Sequence, residues 1–339
     1  MRACWYLSDV HACGIVRADV PARAIGQYHR DIGLCCKRDF LLSDLFLFDL
    51  FIMQRGCKEE DLRRMQMAAG RGIKTIYDLD DDLFNVPEHV KAAHDYFSLP
   101  EPRKMMSEML NTANVVTVSN EACAEVAAKH TKSPIVIIGN CIDWGHAKLA
   151  KPRVADDRIV IGWVGSEVHR SDAALIDSAL IKILNKHDNV DIRIIGNFEP
   201  KDFSQELVEF GARFHLEGWE EPNSLYSTIA QFDISLCAVT PGKFNDAKSE
   251  IKWMESGSVG VPCVVSPVRP YEKMADGHDC VKAVGNSDAG WFDAIDSLVS
   301  NPSMRRCIGE AARERVSREY DSRVVAREWV NAFRIAERM

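Results

Sequence analysis

Lys248, Lys252 and Glu255 fall at i, i+4 and i+7 in FNDAKSEIKWMESGSVGVPCVVS, residues 244–266. That spacing predicts one face of a helix over 248–257. Two cations near a helix start add to its unsatisfied N–H groups and positive dipole end, which suits a diphosphate. A carboxylate one turn deeper can accept from the two hydroxyls of a ribose. The same spacing also describes a solvated face with an i,i+3 Lys252–Glu255 pair, and spacing alone leaves both readings open.

A second group of charges lies in YDLDDDLF, residues 77–84, where Asp78-Leu79-Asp80 is a D-x-D and Asp81 and Asp82 come directly after. Taken alone it suggests a clamp holding a divalent metal against a diphosphate. Contact with a substrate by Asp80 or Asp81 is a second reading. A structural role, capping the next segment or pairing with Arg17, is a third.

The elements that must position these residues alternate. Apolar runs at 3–8, 47–54, 73–79, 115–119 and 135–140 read as strands, with amphipathic helical patterns between most of them. DVPARAIGQYHRDIG (19–33) reads as a helix with Pro21 tolerated in its first turn. The polar stretch DWGHAKLAKPRVADDR (143–158) has turn formers and no period, and is read as a linker. The alternation then restarts, with strands at 159–165, 190–196, 234–239, 262–268 and 280–284, and closes on helical sequence. Alternating strands and helices imply parallel sheets, and two such series imply two Rossmann-like α/β domains. In such sheets ligands bind outside the carboxyl ends of the strands, which is where the acidic cluster falls.

Bulk properties narrow the field. The 339 residues suit two domains, and 46% hydrophobic with 27% charged is ordinary for a globular chain. The net charge of −8 shows no basic excess of the kind nucleic-acid binders carry. The 11 cysteines include no C-x-x-C, so they read as buried thiols in a reducing compartment. No apolar run is long enough to span a membrane, and the first residues do not read as a signal peptide, so a cytoplasmic location is expected. The dinucleotide fingerprint G-x-G-x-x-G, the phosphate loop G-x-x-x-x-G-K-[ST] and the nucleophile elbow G-x-S-x-G are all absent.

Residues 244–266 resemble the donor-site helix of family-four glycosyltransferases with the GT-B fold. Their pattern is E-x7-E, then a small residue, xxGxPVV and a Ser. Glu255 matches the second Glu and Gly260 to Ser266 match the GxPVV and Ser portion, while Ala247 stands where the first Glu usually does. The stretch is similar to a bacterial and phage branch reading fN-x-x-K-S-x-x-K-x-x-E, which Phe244, Asn245, Lys248, Ser249, Lys252 and Glu255 fit. IGWVGSEVHRSD (161–172) resembles the first strand of the family's nucleotide domain and its Gly turn. Gly165 and Ser166 would let backbone approach the diphosphate, with His169 and Arg170 adding charge, although an ordinary β–α loop reads the same way. CGIVRADVPA (13–22) is similar to a Gly-containing loop that leads to an Arg and a Pro-started helix, placing Gly14 and Arg17 over the donor phosphates and the acceptor.

The resemblance implies a GT-B enzyme whose two Rossmann-like domains face a central cleft. Residues 1–150 would form the acceptor-side domain and 151–320 the nucleotide-sugar domain, with the helix of 321–339 crossing back to the first. It implies transfer with retention from a nucleoside diphosphate sugar, UDP- or GDP-linked, with no metal and no cofactor. Lys248, Lys252, Arg170 and the amides from Ser249 through Ile251 to Lys252 would stabilise the leaving diphosphate. Glu255 would bind the ribose, and Asn245, Asp246 or Lys248 would stand in for the missing Glu. Asp80 and Asp81 would face the acceptor and the reacting carbon. The acceptor is expected to be a glycan, a protein or a modified nucleic-acid base. A non-catalytic sugar-nucleotide binder, or a partner subunit of a glycosylation complex, is the alternative.

Overall fold

The computed structural model describes residues 1–7, 12–37, 41–154, 156–218 and 224–339. Ser8, the end of the first expected strand, and Ala155 in the expected linker lie outside them. Two compact units are present. One comprises Met1–Asp143, Asp246–Ser249 and Tyr320–Met339, the other Trp144–Asn245 and Glu250–Glu319.

The first unit is built on a six-stranded sheet. Its strands are β1 (Arg2–Leu7), β2 (Gly33–Lys37), β3 (Leu50–Gln54), β4 (Lys74–Leu79), β5 (Val115–Val118) and β6 (Ile135–Ile137). Their order is β2-β1-β3-β4-β5-β6, with every pairing parallel. The central strands β3 and β5 are buried at every residue, as continuous apolar runs covered on both faces should be. The C-terminal helix Ser322–Arg338 packs on this sheet: the Trp329 and Phe333 rings lie 4.4 and 6.3 Å from Trp5, all three fully buried.

The second unit repeats the architecture with β7 (Ile159–Val164), β8 (Val190–Ile195), β9 (Phe214–Glu217), β10 (Ile234–Cys237), β11 (Cys263–Val265) and β12 (Val281–Lys282). The order is β12-β11-β10-β7-β8-β9, again all parallel. This is the doubly wound Rossmann order, with its switch point between β7 and β10. The two-domain α/β expectation holds.

Three local expectations do not. Strands β2 and β9 were not legible as strands, because both are short edge strands with mixed burial and no continuous apolar run. The helix expected over 248–257 runs from Ile251 to Ser258, so Lys248 precedes it. The reason is a contact distant in sequence: the Ala247 and Lys248 carbonyls accept from Asn120 Nδ2 at 2.8 and 3.2 Å instead of from helix amides. Lys252 and Glu255 therefore share a helix, and Lys248 does not share its face. Finally, the loop expected around Gly14 and Arg17 is helical. Ala12–Gly14 is an α-turn, with Gly14 at φ −62°, and Ile15–Asp19 is a π-helix leading into the helix Val20–Tyr28. Pro21 cannot donate to the Arg17 carbonyl and its ring would crowd that group, so the turn before it widens.

Candidate active site

In the second unit the sequence-predicted residues converge on the β7/β10 switch point. Gly165 directly follows β7, and its amide donates to Ile195 O at 3.0 Å. Gly196, just past β8, has φ +143°, and a Cβ on it would lie 1.8 Å from the Gly165 carbonyl oxygen. The two loop crests thus touch through backbone. The His169 amide donates to Ser166 O at 2.9 Å and closes the turn.

Asp172 ties this turn to the loop after β10. Its Oδ2 lies 2.7 Å from His169 Nδ1, and its Oδ1 accepts from Thr240 N at 2.7 Å and Thr240 Oγ1 at 3.0 Å. The Asn245 amide donates in turn to Thr240 O and Oγ1 at 2.9 and 2.8 Å. Burial alone would raise the Asp172 carboxyl, but His169, the Thr240 amide and Lys252 outweigh it and hold the group below its ordinary value. Asp172 and Thr240 belong to no quoted motif role. The one signal was Asp172 at i+3 from His169.

Lys252 projects from the first turn of the helix Ile251–Ser258, whose leading amides no side chain caps. Its Nζ lies 5.1 Å from the centroid of the Trp163 ring. A Cβ on Gly165 would meet both Lys252 Nζ and His169 Cβ at 3.5 Å, so these three residues are in immediate proximity. Glu255 is half-buried one turn along, where burial pushes its carboxyl up to about 7 against the opposing pull of Lys252. Arg170 is directed elsewhere: its half-exposed guanidinium pairs with Asp202 Oδ1 at 2.9 Å.

The first unit holds the other residues. Arg17, expected beside the acceptor, is 1% exposed. Its guanidinium forks onto Asp78, with Nη2 to Oδ1 at 2.8 Å and Nε to Oδ2 at 3.0 Å, donates to the Ile138 carbonyl, and lies 5.0 Å from the Trp329 ring centroid. Gly14 is buried in the helical turn before it. Both are core residues of this unit, because the buried Asp78 carboxylate at the end of β4 draws the guanidinium into the strand layer.

The remaining carboxylates of YDLDDDLF are also engaged. Asp80 pairs with Arg55 Nε. Asp81 Oδ2 accepts from Arg55 Nη2 at 3.4 Å and from Lys248 Nζ at 3.3 Å. Asp82 is buried, which raises its carboxyl, and it accepts from Phe84 N at 3.2 Å and Asn85 Nδ2 at 2.7 Å, capping the next turn. Ser249 Oγ accepts from Asn140 Nδ2 at 2.9 Å. The two ends of the D-x-D thus each hold a guanidinium, and no three His, Cys, Asp or Glu among the described residues are grouped to hold a metal.

Residues 170–331, a little under half of the chain, match the family described as glycosyl transferase-like. No curated protein matches in sequence. Several solved structures share the fold. Anabaena HepE, solved with UDP-glucose, superposes with a TM-score of 0.71 at 12% identity over 98% of this chain and 99% of its own. Sucrose-phosphate synthase from Thermosynechococcus elongatus gives 0.69 at 11% identity, covering 98% of each chain. A putative UDP-N-acetylglucosamine 2-epimerase from Listeria monocytogenes gives 0.63 at 10% identity over 98% of this chain and 95% of its own. Residues 170–331 are thus similar to glycosyltransferases, and the chain as a whole shares the GT-B fold of these structures. No helix among the described residues is long and apolar enough to cross a membrane.

Proposed function

We propose that this protein transfers a sugar from a UDP-sugar to an acceptor hydroxyl, with retention at the anomeric carbon and without a metal. The observation that carries the reading is the meeting of Lys252, His169 and the Gly165 turn at the switch point of a glycosyltransferase-family domain. A doubly wound sheet binds nucleotides there, and a cation beside a turn of backbone amides suits a diphosphate. The UDP-glucose held by HepE on the same fold supports the choice of donor.

In this reading Lys252, the leading amides of its helix and the motif's Lys248 take up charge as the bond between the anomeric carbon and the phosphate oxygen lengthens. The acceptor oxygen bonds to that carbon on the face the phosphate leaves, and the acceptor proton passes to the departing phosphate oxygen. Glu255 accepts from the ribose hydroxyls. Asp80 and Asp81, which face Arg55 and Lys248, serve the acceptor side, and the acceptor is a glycan, a protein or a modified nucleic-acid base. The reaction runs in the cytoplasm, of a bacterium or of an infected host.

The test is a screen of nucleotide sugars for binding and for nucleotide release, with and without chelator, and then NMR of the product's anomeric configuration. Release of UDP that chelator leaves unchanged, with a retained anomer, is expected. An inverted product or chelator-sensitive turnover would overturn the corresponding part. Recovery of an epimerised nucleotide sugar would place the protein instead with the epimerase that shares its fold. One observation favours the non-catalytic alternative: the fully buried Ala247 brings no carboxylate to the place of the family's first Glu. Tight UDP-sugar binding with no turnover toward any acceptor or water would establish it.

A further inference from the structure

Arg55 belongs to no motif, yet its geometry is unusual. It comes directly after β3, which pairs with β1 at the switch point of the first sheet. It has φ +51°, one of two non-glycine residues at positive φ among those described. That conformation strains a side-chain-bearing residue, and such strain concentrates at functional sites. The Arg55 amide donates to Asp78 O at 3.0 Å, which sets the guanidinium against the carboxylates beyond β4. Its side chain is 16% exposed. Burial works against its charge, and the carboxylates of Asp80 and Asp81 outweigh that cost. Asp81 Oδ2, held by Arg55 on one side, holds the Lys248 ammonium on the other.

We propose that Arg55 is a positioning residue for the transfer reaction: by occupying Asp80 and sharing Asp81, it fixes the Asp81 carboxylate oxygen that Lys248 meets. This rests on the glycosyltransferase reading, in which Lys248 serves the leaving diphosphate. Two carboxylates from adjacent residues, left without Arg55, draw the ammonium between them and away from that task. A lysine at 55 cannot replace the fork, because one ammonium does not present two fixed donor directions.

The test compares Arg55→Lys and Arg55→Ala with wild type by three measurements: urea unfolding, kcat and KM for the UDP-sugar, and acylation of Lys248 by acetic anhydride read by mass spectrometry. In both variants kcat is expected to fall about 10–100-fold with donor KM within about threefold, as for a misplaced catalytic group. Lys248 acylation slows about 3–10-fold, because its ammonium is then enclosed between two carboxylates. Arg55→Lys folds with nearly wild-type stability yet does not recover kcat. Wild-type kcat in Arg55→Lys, or unchanged Lys248 acylation in a folded variant, overturns the proposal. If wild type turns over no nucleotide sugar, the glycosyltransferase reading fails, and the acylation rates still decide whether Arg55 governs Lys248.

Discussion

Replacing Arg17 by Met decides whether that residue serves the core or a ligand. The substitution removes the fork onto Asp78, the bond to the Ile138 carbonyl and the stack on Trp329, and it leaves Asp78 with the Thr117 hydroxyl at 2.6 Å. Asp78 is fully buried, so an uncompensated charge there is disfavoured and the group takes up a proton instead. Neutralising a carboxyl of ordinary pKa ~4 costs about 1.4 kcal/mol per pH unit above that value, hence about 4 kcal/mol at pH 7 and about 1.5 kcal/mol at pH 5. The pH 7 figure agrees with the roughly 3–5 kcal/mol seen when one partner of a buried pair is removed. The sign comes from linkage. Burial already raises the Asp78 carboxyl in wild type against the pull of Arg17; without that pull the folded-state pKa in the variant rises further above the unfolded one, so stability is retained below about pH 4 and lost progressively as pH rises. At pH 7 the melting temperature of a unit this size should drop by roughly 8–16 °C. Urea unfolding monitored by circular dichroism at both pH values measures this, with separate transitions fitted if the units unfold independently. A variant within about 1 kcal/mol of wild type at pH 7 that has lost transfer activity would refute the assignment and return Arg17 to the acceptor.

The second unit supports further expectations. Under the proposed reading Lys252→Ala should lower kcat by about 100-fold or more, because it removes the cation that meets the developing charge; near-full activity would sink the donor-site assignment. Nucleotide affinity in wild type should rise as pH passes through about 7, where Glu255 ionises and can accept from ribose, and calorimetry on Glu255→Gln should show the pH dependence gone. The same raised carboxyl favours folding below its unfolded value and withdraws that contribution as pH climbs through about 7, so the Gln variant gains stability over wild type on the alkaline side. Gly196→Ala forces a Cβ to 1.8 Å from Gly165 O at φ +143°, so a loss of about 1–3 kcal/mol from the backbone conformation alone is expected, together with nucleotide binding; wild-type binding in that variant would mean the turn tolerates displacement.

The features legible in the sequence were those that depend on local pattern. The central strands announce themselves because both faces are buried, as at Leu50–Gln54 and Val115–Val118. Edge strands such as Gly33–Lys37 do not, since their residues are only partly covered. The helix bearing Lys252 and Glu255 was legible from its spacing, but its start was not. Lys248 fits the same period, but the Asn120 amide, 127 and 128 residues away in sequence, takes the Ala247 and Lys248 carbonyls a longer helix would need. The acidic run showed the same limit. Four aspartates are visible, but which meets a guanidinium, which meets an ammonium and which is left to cap a turn depends on Arg17, Arg55 and Lys248 arriving from separate elements. Arg55 itself carried no signal, because neither a left-handed backbone nor a partner on the neighbouring strand's loop leaves a mark on the residues beside it.

The way the polypeptide is shared between its units bears on how the gene can be cut. The chain passes from one unit to the other after Asp143, returns for Asp246–Ser249, leaves again, and comes back at Tyr320. A fragment ending at residue 143 would leave Trp5 without Trp329 and Phe333, and Asp81 without Lys248. Exchange of modules with another protein of this fold therefore cannot be a single crossover in the linker: the incoming half must bring its own last helix. Ser322–Arg338 and the sheet it covers are inherited together or not at all, which confines viable recombinants to those whose two ends derive from one parent.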